Sequence, residues 1–274
     1  MEAEIDVSEV EQTMKTRIIA GICMLPLLII IYIGGIPLII ATSLISLIGI
    51  TEFFRGFENK GIKPNKILSY ILIIILYVAH ALMHSDFDIL SPWIFIATAS
   101  TMIWGWKIER VTNEDVISTI IGLIYLVWFP YHVVLVSESN YNMLIWIIFI
   151  AAFGSDSMAY FTGYAIGKHK LCPNLSPKKT IEGAVGGALG AGILSGIFAY
   201  FTMNDILVEI IILGTFVGIL SQAGDLSASA FKRKMGIKDY GHLIPGHGGI
   251  MDRFDSIIFV APPVYYYIIF VIGN

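Results

Sequence analysis

Along the chain, apolar residues gather in blocks long enough to cross a bilayer, and polar residues gather in short clusters between them. Nine such blocks are expected, at about 18–34, 36–53, 67–83, 90–105, 116–135, 143–162, 181–203, 206–222 and 256–272. A spanning helix needs about 20 predominantly apolar residues. In hydrocarbon each backbone N–H and C=O must find its partner inside its own segment, so the blocks are read as helices. The predicted fold class is therefore an all-α integral membrane protein with about nine transmembrane helices. The first two blocks meet at Gly34-Gly35-Ile36-Pro37, a tight-turn sequence, and form either two short spans or one long kinked element.

Charge gives the blocks a direction. Only 14% of the residues are charged and 56% are hydrophobic, against about 25% and 45–50% in a typical soluble domain. With the N-terminus cytoplasmic, all 17 Lys and Arg fall in segments on the cytoplasmic side, and the outer loops carry Asp86, Asp88, Glu138 and Asp205 instead. Basic residues favour the cytoplasmic side, so this partition supports both the span count and the orientation, and puts Asn274 outside. Residues Met1 to Thr13 are acidic, and the block after Arg17 lacks a small-residue exit, so it is expected to be a retained first span. The expected organisation is a cytoplasmic tail at 1–17, N-terminal helices at 18–135, and a catalytic membrane region at 136–274 with cytoplasmic loops 163–180 and 223–255. Cys23 and Cys172 are far apart and suggest neither a disulfide framework nor a metal site.

Candidate chemistry collects in the last two cytoplasmic segments, where basic residues mix with acids, glycines and prolines beyond what orientation requires. In SQAGDLSASAFKRKMGIKDYGHLIPGHGGIMDRFDS, Asp225 is expected just past the eighth span, and Asp252 and Asp255 just before the ninth. Asp252 and Asp255 are three apart and share a helix face. Carboxylates without thiolates or a paired-histidine motif suit a hard cation such as Mg²⁺, which keeps water and takes substrate phosphates. Lys232, Arg233, Lys234 and Lys238 supply positive charge for a polyphosphate. Pro245-Gly246-His247-Gly248-Gly249 offers backbone that can approach a phosphate or a base closely. Metal-binding acids beside phosphate-binding bases are the parts of phosphoryl or nucleotidyl transfer.

Upstream, Asp156 falls inside the predicted sixth span, where a carboxylate is costly and so points to function. Ser176-Pro177-Lys178-Lys179-Thr180 leads into the seventh span, with Thr180 placed to cap it and the lysines placed to meet anionic phosphate. Within that span Gly183, Gly187, Ala184, Ala188, Gly192 and Gly196 recur at spacings of four, which is read as close helix packing. His80 and His84 lie toward the outer side and are assigned no role.

The stretch Ser229 to Asp255 resembles the signature of the phosphatidate cytidylyltransferases, also called CDP-diacylglycerol synthases. That pattern runs S-x-apolar-K-R, then K-D, a small residue, P-x-H-G-G and D-R-apolar-D, and this chain fills each of those positions. Gly224-Asp225-Leu226, the DSMAYFTGYAIGKHKL stretch and SPKKTIEG also look like family blocks, whereas the first five spans match only in being apolar. One departure is Phe153-Gly154-Ser155, where the family carries a Trp shortly before the aspartate.

The resemblance implies that CTP and phosphatidate, a membrane lipid, give CDP-diacylglycerol and pyrophosphate at the cytoplasmic face of the cell membrane. Asp225 and Asp252 would hold the metal, with Asp255 a neighbour or further ligand. Lys232, Arg233 and Lys238 would neutralise the triphosphate, and Lys178 and Lys179 the lipid phosphate or the leaving pyrophosphate. His247 would contact the nucleotide. Asp156, Ser176, Thr180, Asp239, Gly248, Gly249 and Arg253 are expected at the substrates. The resemblance also implies Mg²⁺, a second monovalent cation such as K⁺, and a homodimer, with no nucleic-acid partner. Two other readings remain open at this point, a CTP-dependent polyprenol- or phytol-type lipid kinase and an ion-coupled transporter.

Overall fold

A computed structural model describes residues 26–83, 88–241, 243 and 248–273. The tail 1–17, the start of the first predicted span with Cys23, the residues His84 and Asp86, the run Ile244 to His247, and Asn274 lie outside the described residues. Helix dominates what is described. Residues 26–33 are helical (α1), and a break at Gly34, with φ of +65°, separates them from α2 at Gly35–Glu58. Spans one and two are therefore distinct helices. They are followed by α3 (Lys66–Met83), α4 (Leu90–Trp104), α5 (Asn113–Leu123) and α6 (Phe129–Glu138). A π-helical turn at Ile124–Trp128 joins the last two into one continuous crossing. Then come α7 (Ile145–Ile166), α8 (Ile181–Thr202), α9 (Leu207–Met235) and α10 (Met251–Tyr267).

Among the described residues, seven helices are long and apolar enough to span a membrane, and α4, at 15 residues, is a shorter apolar helix. The expected multi-pass helical membrane protein is what the chain forms. Large apolar side chains such as Tyr32, Phe95, Val185, Tyr200 and Phe201 stay exposed on the outside of the bundle, as lipid-facing residues do.

Two features differ from the sequence expectation. The loop 163–180 contains an antiparallel hairpin, β1 (Lys170–Cys172) with β2 (Ser176–Thr180). It is held on α8 by Glu182, whose carboxylate accepts the N–H groups of Lys168 and His169 and pairs with His169 Nδ1 at 2.6 Å. Secondly, the eighth span does not end at 222. α9 runs on to Met235, so the predicted loop 223–255 shrinks to the connection between Met235 and Met251. The polar extension is stabilised by packing: Phe231 meets Phe53 of α2 edge-on at 5.1 Å and stacks near Tyr125 at 6.3 Å. It stops at Gly236, whose left-handed φ of +72° terminates the helix.

Three helices carry the framework of the site. α7, α8 and α9 approach closely through the small residues of α8. A Cβ at Gly187 would fall 2.7 Å from the Ser155 carbonyl and 2.8 Å from Gln222 Nε2, so no larger residue fits without separating the helices. Gln222 locks the same three helices by donating to Ser155 Oγ and to the Ala184 carbonyl, both at 3.0 Å. Thr180 caps α8 as expected, its hydroxyl accepting the Gly183 N–H at 3.1 Å.

The described Lys and Arg fall at helix ends and in connections that the up-and-down run of successive spans brings to one end of the bundle. At the other end His80 is buried, bonded to Tyr131 Oη at 2.7 Å and 3.0 Å from Glu138, a polar contact between helices.

Candidate active site

Two carboxylate–lysine pairs meet at the basic end of the bundle. Asp225 is inside α9 rather than past its end, and Lys179 reaches it from β2 to pair with Oδ2. Two helical turns further along α9, Lys232 Nζ lies 2.8 Å from Oδ1 of Asp252, in the first turn of α10. The second pair is shielded, with side-chain exposures of 16% for Lys232 and 5% for Asp252. Lys232 also sits 5.5 Å above the centre of the Tyr240 ring.

Asp252 folds the connection back onto α10. Its Oδ2 accepts the backbone N–H of Tyr240 at 2.8 Å and of Gly249 at 3.0 Å. Gly248 has φ of +85°, and a Cβ there would lie 2.7 Å from Asp252 Oδ2, so only glycine passes at this point. Burial, then the fields of Asp252 and Asp255, push the Tyr240 phenol upward, so it stays protonated and donates to the Ala228 carbonyl at 2.9 Å.

One helical turn on, Asp255 is buried and accepts the Ser256 N–H at 2.8 Å. The Ser256 hydroxyl donates to Asp156 Oδ2 at 3.2 Å, which joins α10 to α7. Asp156 and Asp255 both lie in the field of Asp225, and Asp255 also feels Lys232. The four aspartates thus form an acidic row across α7, α9 and α10, in which Lys179 pairs with Asp225 and Lys232 with Asp252.

Beside this row a cavity of about 570 Å³ opens between α7, the hairpin, α8 and α9. Asp156, Asp225, Lys170, Lys178, Lys179 and Thr180 give it a polar side, against the aromatic walls of Tyr160 and Tyr164. The two sequence segments singled out for chemistry therefore meet in space. Other expected residues sit further out. Ser176 pairs with Cys172 in the hairpin, Arg233 is exposed on the last turn of α9, and Lys238 and Asp239 are exposed on the connection. Arg253 is half-buried in the first turn of α10, Gly249 is buried, and His247 lies outside the described residues. Glu52, Gln222, Tyr240 and Ser256 were not singled out by sequence. A lone acid in the apolar run around Glu52 was the available signal for the first.

Among the described residues, no three His, Cys, Asp or Glu side chains close into a ready metal cage. The donor chemistry still fits a hard cation. The acidic row offers carboxylate oxygens only, and its four acids exceed the two lysines paired with them. Such a site suits an ion that retains water and takes most of its ligands from phosphate.

The model of the cytidylyltransferase family matches residues 15–271. A phosphatidate cytidylyltransferase of Bacillus subtilis (strain 168) is 29% identical over 260 residues, covering 92% of this chain and 97% of that protein. A phosphatidate cytidylyltransferase of Staphylococcus haemolyticus is 32% identical over 253 residues, covering 90% and 94%. Over 130 residues, 46% of this chain and 45% of its relative, identity with a phosphatidate cytidylyltransferase of Haemophilus influenzae reaches 43%.

Proposed function

The chain belongs to the cytidylyltransferase family, and on that premise we propose that it joins CTP to phosphatidate, releasing pyrophosphate and leaving CDP-diacylglycerol in the membrane. The observation that carries this reading is the pairing of Lys179 with Asp225 and of Lys232 with Asp252 along one acidic row beside an amphiphilic cavity. A lipid phosphate and a nucleotide triphosphate each need cationic partners, and the two lysines offer them along that row.

A phosphatidate oxygen attacks the α-phosphorus of CTP. The new P–O bond forms as the bond to the bridging oxygen of the β-phosphate breaks, and the electron pair leaves with pyrophosphate. The nucleophile is already anionic at neutral pH, so no side chain need remove a proton. Catalysis then rests on positioning and on neutralising charge. Lys178 and Lys179, which line the cavity, hold the lipid phosphate, and the aromatic wall of Tyr160 and Tyr164 accommodates the apolar part of the lipid. Lys232, Arg233 and Lys238 neutralise the triphosphate, with Gly248 and Gly249 lining its approach.

An acidic row would repel a triphosphate unless a cation lay between them. We assign that ion as Mg²⁺, which Asp225, Asp252 and Asp255 would hold and which would supply charge neutralisation to the phosphates. Oδ1 of Asp252 is engaged by Lys232, so direct ligation there requires Lys232 to turn toward phosphate. By the distribution of basic residues we also propose that the site faces the cytoplasm at the cell membrane, and that the protein works as a homodimer with a second, monovalent cation.

Purified protein in lipid, supplied with labelled CTP, phosphatidate and Mg²⁺, is expected to form CDP-diacylglycerol. Failure to form any CDP-lipid across a range of divalent and monovalent cations would overturn the assignment.

A further inference from the structure

The least expected contact in the site comes from the N-terminal helices. Glu52 lies inside α2, within an apolar run, and is only 4% exposed. Its Oε1 accepts the N–H of Ile250 at 3.1 Å and its Oε2 accepts the N–H of Met251 at 3.0 Å, across separations of 198 and 199 residues. These are among the N–H groups that a helix start leaves without intrahelical partners. A carboxylate suits them because both of its oxygens accept and its charge complements the helix N-terminus.

The chain is shaped around this carboxylate. Cβ atoms at Gly241 and Gly249 would both collide with it, so the two ends of the turn pass Glu52 on bare backbone. Asp252 holds the same turn from the other side through Tyr240 and Gly249. The segment that presents Gly248, Gly249, Asp252 and Asp255 is therefore clamped between two carboxylates, one of them belonging to a helix with no other part in the chemistry.

We infer that Glu52 is a positioning residue, which fixes the turn before α10 and through it the nucleotide side of the site. The inference rests on the nucleotidyl-transfer reading above. It predicts a split between the substrates, because the cavity that holds Lys178 and Lys179 is lined by α7, the hairpin, α8 and α9 and does not include Glu52.

The test measures initial rates against CTP and against phosphatidate for reconstituted wild type, E52Q, E52A, G249A and E52A/G249A, with thermal unfolding of each. Gln keeps the shape but offers one acceptor, so its amide N–H₂ must face a backbone donor. E52Q is expected to raise KM for CTP, with a fall in kcat, by about tenfold or more, while KM for phosphatidate stays within about twofold. G249A should give the same split by steric displacement. In E52A, where the carboxylate is gone, adding G249A should cost less than it does in wild type.

Equal changes in both KM values, or E52Q kinetics indistinguishable from wild type, would overturn the inference while leaving the reaction assignment intact. Loss of folding in both E52Q and G249A would also overturn it, by assigning Glu52 to assembly. A wild type that makes no CDP-lipid overturns the reaction assignment and this inference together.

Discussion

Replacing Asp252 by Asn changes few atoms and removes the centre of the hydrogen-bond network that joins α9, the connection and α10. The carboxylate meets Lys232 on Oδ1 at 2.8 Å, and Tyr240 N–H and Gly249 N–H on Oδ2 at 2.8 and 3.0 Å. All three partners are donors. An Asn side chain has one acceptor oxygen, so either Lys232 or the two amides must face an N–H₂ group. Losing a charge-assisted bond costs about 1.5–3 kcal/mol, and breaking a fully buried pair costs about 3–5 kcal/mol. Lys232 keeps 16% exposure and also feels Asp255, so the lower part of that range applies. The expected penalty of about 2–3 kcal/mol corresponds to roughly 30- to 150-fold in any equilibrium the pair controls. Loss of the proposed metal-binding charge would add to it, so turnover should fall at least about a hundredfold. The assay is the initial rate of CDP-lipid formation in lipid, with thermal unfolding confirming that the variant is folded and inserted. A K232M/D252N double variant should lose less than the sum of the single losses. A D252N protein within about threefold of wild type would refute the reasoning, since even one lost charge-assisted bond predicts more.

Other consequences can be checked separately. K179M removes the partner of Asp225, and it should raise KM for phosphatidate about tenfold or more, with a smaller effect on KM for CTP; the reverse split would move Lys179 to the nucleotide side. G248A forces a left-handed φ on Ala and pushes a Cβ toward Asp252, so a loss of at least about 1–2 kcal/mol in the local fold should appear as reduced activity with little change in thermal unfolding; full activity would show that the turn tolerates a side chain. A cysteine at Ser139, in a background lacking Cys23 and Cys172, should react with an impermeant thiol reagent from outside intact cells. Reaction only after permeabilisation would reverse the orientation.

Much of the scaffold was legible because hydrocarbon imposes a simple rule: apolar blocks of spanning length become helices. Small residues at spacings of four along α8 likewise announced close packing, and the structure places Ser155, Ala159 and Gln222 against Gly187. The extension of α9 was hidden because hydropathy falls at Ser221 while helix propensity does not. Residues such as Ala228, Ala230 and Lys232 favour helix, and Phe231 anchors the polar part against Phe53 and Tyr125. The hairpin was missed because its strands are three and five residues long and owe their seat to Glu182 rather than to a strand pattern. Within the site, residue types and spacing brought out the acids and lysines, and the fold supplied their pairing. Glu52 shows where sequence reasoning stops. A solitary acid in an apolar run is visible, but its partners are backbone N–H groups almost 200 residues away, and backbone groups leave no trace in side-chain pattern.

The central claim is that the α-phosphorus of CTP ends on the lipid. It is tested most directly by two parallel reactions with phosphatidate and Mg²⁺, one using CTP labelled at the α-phosphorus and the other at the γ-phosphorus. A cytidylyltransferase places the α-label in CDP-diacylglycerol and releases the γ-label as pyrophosphate, and both signals should vanish in chelator and return with Mg²⁺. Transfer of the γ-label to lipid, with the α-label left on CDP, would identify a kinase and contradict the account.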